Sequence, residues 1–339
     1  MHDCEPSLPR LTGLTKFQLV LDHSCHSLPA FLAQNRGTLR KLSLDTYYAT
    51  FPLEAVSLSN LTHLEFNGTI PVGSNVISLI LSQGAQLQSL RLSCVLLGNV
   101  TNQFREAVSA RRCLKYLRNF GFRVTDRMTS NAADITLFPT IAEFLREHPL
   151  IEKLELDVPT ETDQARLGYD ASILGILPGL TKLKRLYVTM TKDASPGLFS
   201  WIIPRSLKAL VLSGVPRRNT DAFLIVSLLF LLRFANSKQR SMGSLKFQNM
   251  KPGLPSTLKF IALNDVTIHD PIQTIDLAFP SNVRLANINN RYYTVRRRPD
   301  GHLESLEEWP ARRAEVHSDE WFEFMGCEEA AMDEFSTPC

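Results

Sequence analysis

The sequence predicts an α/β protein in which strand–helix units stack side by side on one parallel sheet. Three observations predict it: an apolar spacing that recurs along most of the chain, a change of apolar period between the copies, and enough apolar material for a long core. Hydrophobic residues make up 44% of the 339 positions and charged residues 21%. That is ordinary globular composition. Length alone would suggest two domains of about 150 residues. A repeat array departs from that estimate because it grows by adding units to one continuous core.

The recurring spacing is Leu-x-x-Leu-x-Leu with apolar replacements. It reads Leu39, Leu42, Leu44; Leu61, Leu64, Phe66; Leu87, Leu90, Leu92; Ile151, Leu154, Leu156; Leu183, Leu186, Val188; Leu207, Leu210, Leu212; and Leu258, Ile261, Leu263. Looser copies sit at Leu14, Phe17, Leu19 and at Leu117, Phe120, Phe122, and a last strand is expected over Val283–Leu285. The alternation of apolar and polar residues inside each copy is strand periodicity. Successive middle positions lie 25, 22, 26, 30, 34, 32, 24 and 51 residues apart. Leucine-rich repeats run about 20–29 residues, and longer ones carry a full helix. The expected architecture is an irregular leucine-rich-repeat solenoid over 11–288, with a parallel sheet on the concave face and helices on the convex face.

Between the copies the period lengthens to about 3.6. Phe104, Ala107 and Val108 share one face of a helix ending near Arg112. Pro139 opens another, with Ile141, Phe144 and Leu145 inward. Asn75–Gln83 and Asp170–Leu177 are also read as helices, and the long gap holds an apolar helix near Asp221–Ala235 and an extra strand at Leu245–Phe247. Strand, helix, strand in parallel implies right-handed crossovers.

The ends read differently. Residues 1–10 form a leader, and no capping helix precedes the first copy, so an upstream domain or a dimer contact is expected to cap the array. The signal stops at Asn289. From there an acidic tail, 289–339, holds a hairpin tip at Arg296–Gly301, a short helix near Asp319–Cys327 with Trp321, Phe322 and Phe324 apolar, and a disordered end at Ser336–Cys339. Residues 303–339 carry 11 acidic and 2 basic side chains, so the rest of the chain is basic. This asymmetry reads either as two solvated surfaces or as a tail that folds back on the body or repels wrong partners.

The segment from Phe144 through Pro149 and Ile151 to Leu156, the turn–strand unit Pro204–Leu212, its echo at Pro255–Leu263, and Trp309-Pro310 followed by an aromatic segment together resemble fungal F-box/leucine-rich-repeat proteins. The resemblance covers about 11–330 and implies the substrate-recognition half of such a protein. Residues 1–38 lack the Leu-Pro-x-Glu start and three-helix pattern of an F-box, so the adaptor of a ubiquitin ligase is an expected partner only if an F-box lies upstream. A stand-alone scaffold is the alternative.

Chemistry is sparse. No dinucleotide fingerprint, Walker loop, zinc-protease motif or nucleophile elbow occurs, so no catalytic residue is assigned and an enzyme is the weaker reading. His2, Cys4, His23, Cys25 and His26 have ligand chemistry but not zinc spacing, and no metal or other cofactor is expected. Six cysteines without CxxC pairs read as free thiols of an intracellular protein. The N-terminus has no signal-peptide pattern, and the longest apolar run, Ala222–Leu232, is too short for a membrane span. His317, Asp319 and Glu320 read as a solvated helix face. Arg296–Arg298 fall short of a nucleic-acid footprint.

In each copy the leucines point into the core and the residues between them to the opposite face. Those rows contain Lys41, Ser43, Asp45; His63, Glu65, Asn67; Ser89, Arg91, Ser93; Asn119, Gly121, Arg123; Lys153, Glu155, Asp157; and Arg185, Tyr187, Thr189. Arginine and tyrosine are favoured interface anchors. Arg91, Arg123, Lys153, Glu155, Arg185 and Tyr187 are therefore the expected protein-binding residues.

Overall fold

A computed structural model describes residues 10–21, 25–110, 114–125, 133–191, 193, 202–214, 254–264, 281–301, 303–310 and 322–330. The expected helix near Asp221–Ala235, the strand at 245–247 and the end at 336–339 lie outside them. So do His2, Cys4, His23, His317, Asp319, Glu320 and Trp321. The fold is mixed α/β with mostly parallel strands. It divides into two compact units, the first running to Tyr169 and the second from Asp170 to Asp333.

In the first unit every tight copy becomes a strand, and both looser copies do too. The strands are β1 (Lys16–Val20), β2 (Lys41–Thr50), β3 (His63–Ile70), β4 (Ser89–Leu96), β5 (Asn119–Val124) and β6 (Lys153–Asp157). Neighbours pair in parallel and in the order of the chain. The register places Phe17, Leu42, Leu64, Leu90, Phe120 and Leu154 opposite one another, so each middle apolar residue stacks on the next. From Leu42 to Leu154 these residues are fully buried. Each buried side chain of this size contributes about 1.5–3 kcal/mol of transfer free energy.

Two backbone devices fix the register. The first apolar residue of a copy closes a turn, its N–H donating to the carbonyl three residues back: Leu61 to Leu58, Leu87 to Gly84, Leu117 to Leu114, Ile151 to His148. The next residue then donates its N–H to a carbonyl of the preceding copy, and the following residue donates to that same carbonyl. Thr15 C=O accepts from Arg40 and Lys41, Arg40 from Thr62 and His63, Thr62 from Gln88 and Ser89, Gln88 from Arg118 and Asn119, and Arg118 from Glu152 and Lys153. A carbonyl has two lone pairs, and this ladder uses both.

Helices α1 (Leu28–Gln34), α2 (Val76–Gln83), α3 (Thr101–Ala110), α4 (Leu137–Arg146) and α5 (Glu161–Leu167) link the strands. α3 packs against α2 and α4. Phe104 meets Phe122 and Phe144 at 5.6 and 5.9 Å, and Phe138 meets Phe122 and Tyr169 at 5.9 and 4.8 Å. α4 begins two residues before the expected Pro139, after Thr136. α1 and α5 have only seven residues each, too few for the helical period to show in sequence. α5 carries its own end signals. Thr160 caps the Asp163 N–H at 3.1 Å, and Gly168 closes the helix at φ 69°, where a Cβ would lie 2.0 Å from the Ile135 carbonyl oxygen.

The second unit continues the pattern with β7 (Arg185–Thr189), β8 (Ala209–Ser213), β9 (Phe260–Leu263) and β10 (Leu285–Ile288), again parallel. Its carbonyl ladder runs through Lys184, Lys208 and Lys259. The last parallel strand is shifted from the expected Val283–Leu285 because Leu285 is the ladder residue that pairs with Phe260. Where a helix was expected at Asp170–Leu177, a 3-10 segment spans Ala171–Gly179 with Asp170 as its cap. Pro178, inside the segment, has no N–H to donate.

The parallel run ends at Asn289 and Asn290. Both adopt positive φ, 49° and 66°, the two-residue turn whose twist suits a hairpin. β10 therefore pairs antiparallel with β11 (Arg291–Arg297), and β11 with β12 (Leu303–Glu308). The turn expected at Arg296–Gly301 joins β11 to β12, and Phe322–Phe324 are helical within the segment where a short helix was expected.

Candidate protein-binding surface

In the first unit the residues between the core leucines form three rows across β2–β6. Register places Lys41, His63, Ser89, Asn119 and Lys153 in the first, Ser43, Glu65, Arg91, Gly121 and Glu155 in the second, and Asp45, Asn67, Ser93, Arg123 and Asp157 in the third. Most are half-buried, whereas the leucines on the other side of the same strands are fully buried.

The second row is a single charged network. Glu65 accepts from Ser43 Oγ at 3.3 Å and pairs with Arg91 at 3.4 Å. Arg91 also places a terminal guanidinium nitrogen 2.7 Å from Glu155 Oε2. Arg91 lies on β4 and Glu155 on β6, so the side chain crosses β5. It does so at Gly121, where a Cβ would sit 2.8 Å from Arg91 Cγ. In the third row Arg123 Nε lies 3.0 Å from Asp157 Oδ2, and Asn67 donates to Asp45 at 2.9 Å. Asp157 is nearly buried, at 3% exposure, while Arg123 is 47% exposed.

The four basic residues of these rows, Lys41, Arg91, Arg123 and Lys153, are matched by Asp45, Glu65, Glu155 and Asp157. The surface is therefore rich in donors and acceptors but balanced in charge. Two of the expected anchors, Arg91 and Glu155, bind each other, and Arg123 is oriented by Asp157. Glu65 and Asp157 were in the expected rows but not among the expected anchors. They orient the arginines, and the register that brings them together was implicit in the repeat spacing.

Arg185 and Tyr187 belong to the second unit, on a face of different character. Their register partners are Ala209 and Val211, followed by Phe260 and Ala262, and Leu285 stands opposite Phe260. These apolar residues form a cluster with Trp309, Phe322 and Cys327, and Tyr187 packs against it. The C-terminal segment thus lies against the face on which the sequence predicts Tyr187 to be open to a partner. The signal was present in the sequence: in β8–β10 most residues between the core positions are apolar, namely Ala209, Val211, Phe260, Ala262 and Leu285, as a covered face favours.

Lys184, Lys208, Lys259 and Arg284 stand at one equivalent position, the last residue before each of β7–β10. Glu329 Oε1 lies 2.5 Å from Lys208 Nζ, and Arg284 donates to the Met325 carbonyl at 3.4 Å. Burial alone would raise the Glu329 carboxyl. The Lys208 hydrogen bond, its own backbone amide, and the charges of Lys208 and Lys259 outweigh burial and hold it below the usual value. Cys327 is pushed up to about 11, mainly by burial.

Among the described residues no three His, Cys, Asp or Glu side chains are grouped to hold a metal ion. Cys94 and Cys327 are free and buried, and Cys25 is buried with its Sγ 3.2 Å from Ser27 Oγ. No helix among the described residues is long and apolar enough to cross a membrane. In comparison with known proteins, no family model matches the chain and no curated protein matches its sequence.

Proposed function

We propose that the chain is an irregular leucine-rich-repeat solenoid that binds a protein partner and carries out no chemistry of its own. The polar face of the first unit is its binding surface. The observation that carries this reading is the prearranged network of Glu65, Arg91 and Glu155 beside Arg123 and Asp157. Ion pairs held in place before binding reduce the ordering cost of association. Arg123 extends into solvent from this network, as an anchor must. The resemblance to the substrate-recognition repeats of fungal F-box proteins supports a folded protein as the partner class. Charge balance favours recognition by shape and hydrogen bonding over long-range attraction.

The test is affinity capture with the double variant Arg91→Ala/Arg123→Ala and, as a control, Lys115→Ala, which lies outside the three rows. The double variant loses a defined partner that the wild type and the control retain, while its thermal transition confirms a folded protein. Equal capture by all three removes this surface from the function.

A further inference from the structure

Residues 322–330 form a strap of two parts. Its apolar end is Phe322, which is 1% exposed. The ring lies 6.4 Å from Phe260, 5.5 Å from Tyr292 and 5.9 Å from Trp309. Trp309 is itself fixed, its indole N–H donating to Thr294 Oγ1 at 2.9 Å. These three rings make an aromatic socket.

The acidic end of the strap meets the basic column. Lys208, Lys259 and Arg284 immediately precede successive strands, and the shared-carbonyl ladder sets each opposite the last. Neighbouring strands lie about 4.8 Å apart, so three like charges are stacked at close range. Glu329 pairs with Lys208. Gly326 passes over the other two, and a Cβ on it would lie 3.4 Å from Lys259 Nζ and 3.5 Å from an Arg284 guanidinium nitrogen. Among the described residues neither Lys259 nor Arg284 has a carboxylate within ion-pair distance. Residues 322–330 therefore fill the socket, and among the described residues their ion pair to the column is the one from Glu329 to Lys208. Phe324 stands 77% exposed, and Glu323 and Glu328 are exposed beside it.

We propose that the socket and basic column together form a binding site for an acidic peptide segment of a protein partner, and that residues 322–330 occupy it in cis. The pattern recognised is an aromatic side chain followed, seven residues on, by a carboxylate, as Phe322 is followed by Glu329. A partner peptide with more acidic residues between these anchors satisfies Lys259 and Arg284, which the strap does not, and so displaces it. The site lies in the second unit and does not depend on the polar face of the first.

The experiment uses the full chain and a fluorescent synthetic peptide with the sequence of residues 322–330, serine replacing its cysteine. Binding is read by anisotropy to wild type, to Glu328→Ala/Glu329→Ala, and to the same variant carrying Lys208→Glu. Phe322→Ala serves as a second uncoupled chain, and circular dichroism checks the fold of each. The acidic-pair variant retains Phe322 and so remains informative if Phe322→Ala unfolds. The expected result is binding to the uncoupled chains about tenfold tighter than to wild type. That binding weakens with added salt and is lost with Lys208→Glu. Equal affinity for wild type and uncoupled chains, or binding that survives Lys208→Glu, overturns the proposal. A concentration-dependent dimer that exchanges the strap assigns the site to a second copy and overturns it also.

Discussion

Arg91 reaches across an intervening strand to place its guanidinium 2.7 Å from the Glu155 carboxylate. The residue that lets it pass is Gly121, the register partner of both. The glycine is needed here for space and not for an unusual backbone angle.

This arrangement sets up a double-mutant test. Gly121→Val puts a branched side chain where Arg91 Cγ now lies, and lowers stability by about 1 kcal/mol, partly by forcing apart the Arg91–Glu155 pair. Removing the obstructing side chain with Arg91→Ala makes the valine tolerable. Urea denaturation of the two single variants and the double variant reads the coupling, and strict additivity would contradict the crossing.

The core register is tested at Leu154, which stacks on Phe120 and is 1% exposed. Leu154→Asp places an unpaired carboxylate among apolar side chains, a change that costs several kcal/mol. The circular dichroism melt is expected to lose the cooperative transition of the first unit. A melt like that of the wild type would mean the side chain faces solvent.

Asp134 is a third lever. Its carboxylate accepts the Val100 and Thr101 backbone N–H groups at 2.9 and 3.1 Å and also takes the Thr101 hydroxyl. It caps α3 from a distant loop while being 3% exposed itself. Asp134→Ala removes the acceptor of the Val100 N–H and the Thr101 hydroxyl, while the Thr101 N–H keeps Asn99 Oδ1 at 3.0 Å, and lowers stability by about 2 kcal/mol. Asp134→Asn keeps one acceptor and recovers part of that loss. The comparison of urea midpoints checks both.

Alkaline pH acts on the buried thiols. Burial pushes Cys94 from 9.0 to about 12 and Cys327 from 9.0 to about 11. Between the ordinary and the raised values only the unfolded chain ionises. The stability linked to these protons is complete below about pH 9 and declines as pH rises toward the folded values. The urea midpoint at about pH 10 is expected below that at about pH 8, and Cys94→Ala flattens the difference. Both thiols are expected to react with a thiol reagent only on unfolding.

How far the sequence could be read follows from what each element contributes to it. Strands were legible because the Leu-x-x-Leu-x-Leu spacing is short and local, and their parallel pairing followed from the helices between them. α1 and α5 were not, since seven residues give barely two turns. The 3-10 segment after Asp170 was read as a helix because its apolar residues recur at similar intervals, and Pro178 was the feature that argued otherwise. Within the site, the row containing Arg91 and Glu155 was visible, but their mutual pairing was not. It needs both the register of three strands and the missing side chain at Gly121. Tyr187 was expected on an open face. The strap that packs beside it returns from more than a hundred residues away, and no local period reports such a contact.

The shared-carbonyl ladder separates two things that most folds couple. Each rung is made of main-chain atoms, so the pitch of the sheet is indifferent to what the side chains are and to how much chain is spooled out between rungs. Segments between strands can lengthen, and the residues on the polar face can change, without disturbing the spacing at which the next strand is presented. The fold is in this sense a ruler with blank markings, on which new recognition surfaces can be written without redrawing the scale.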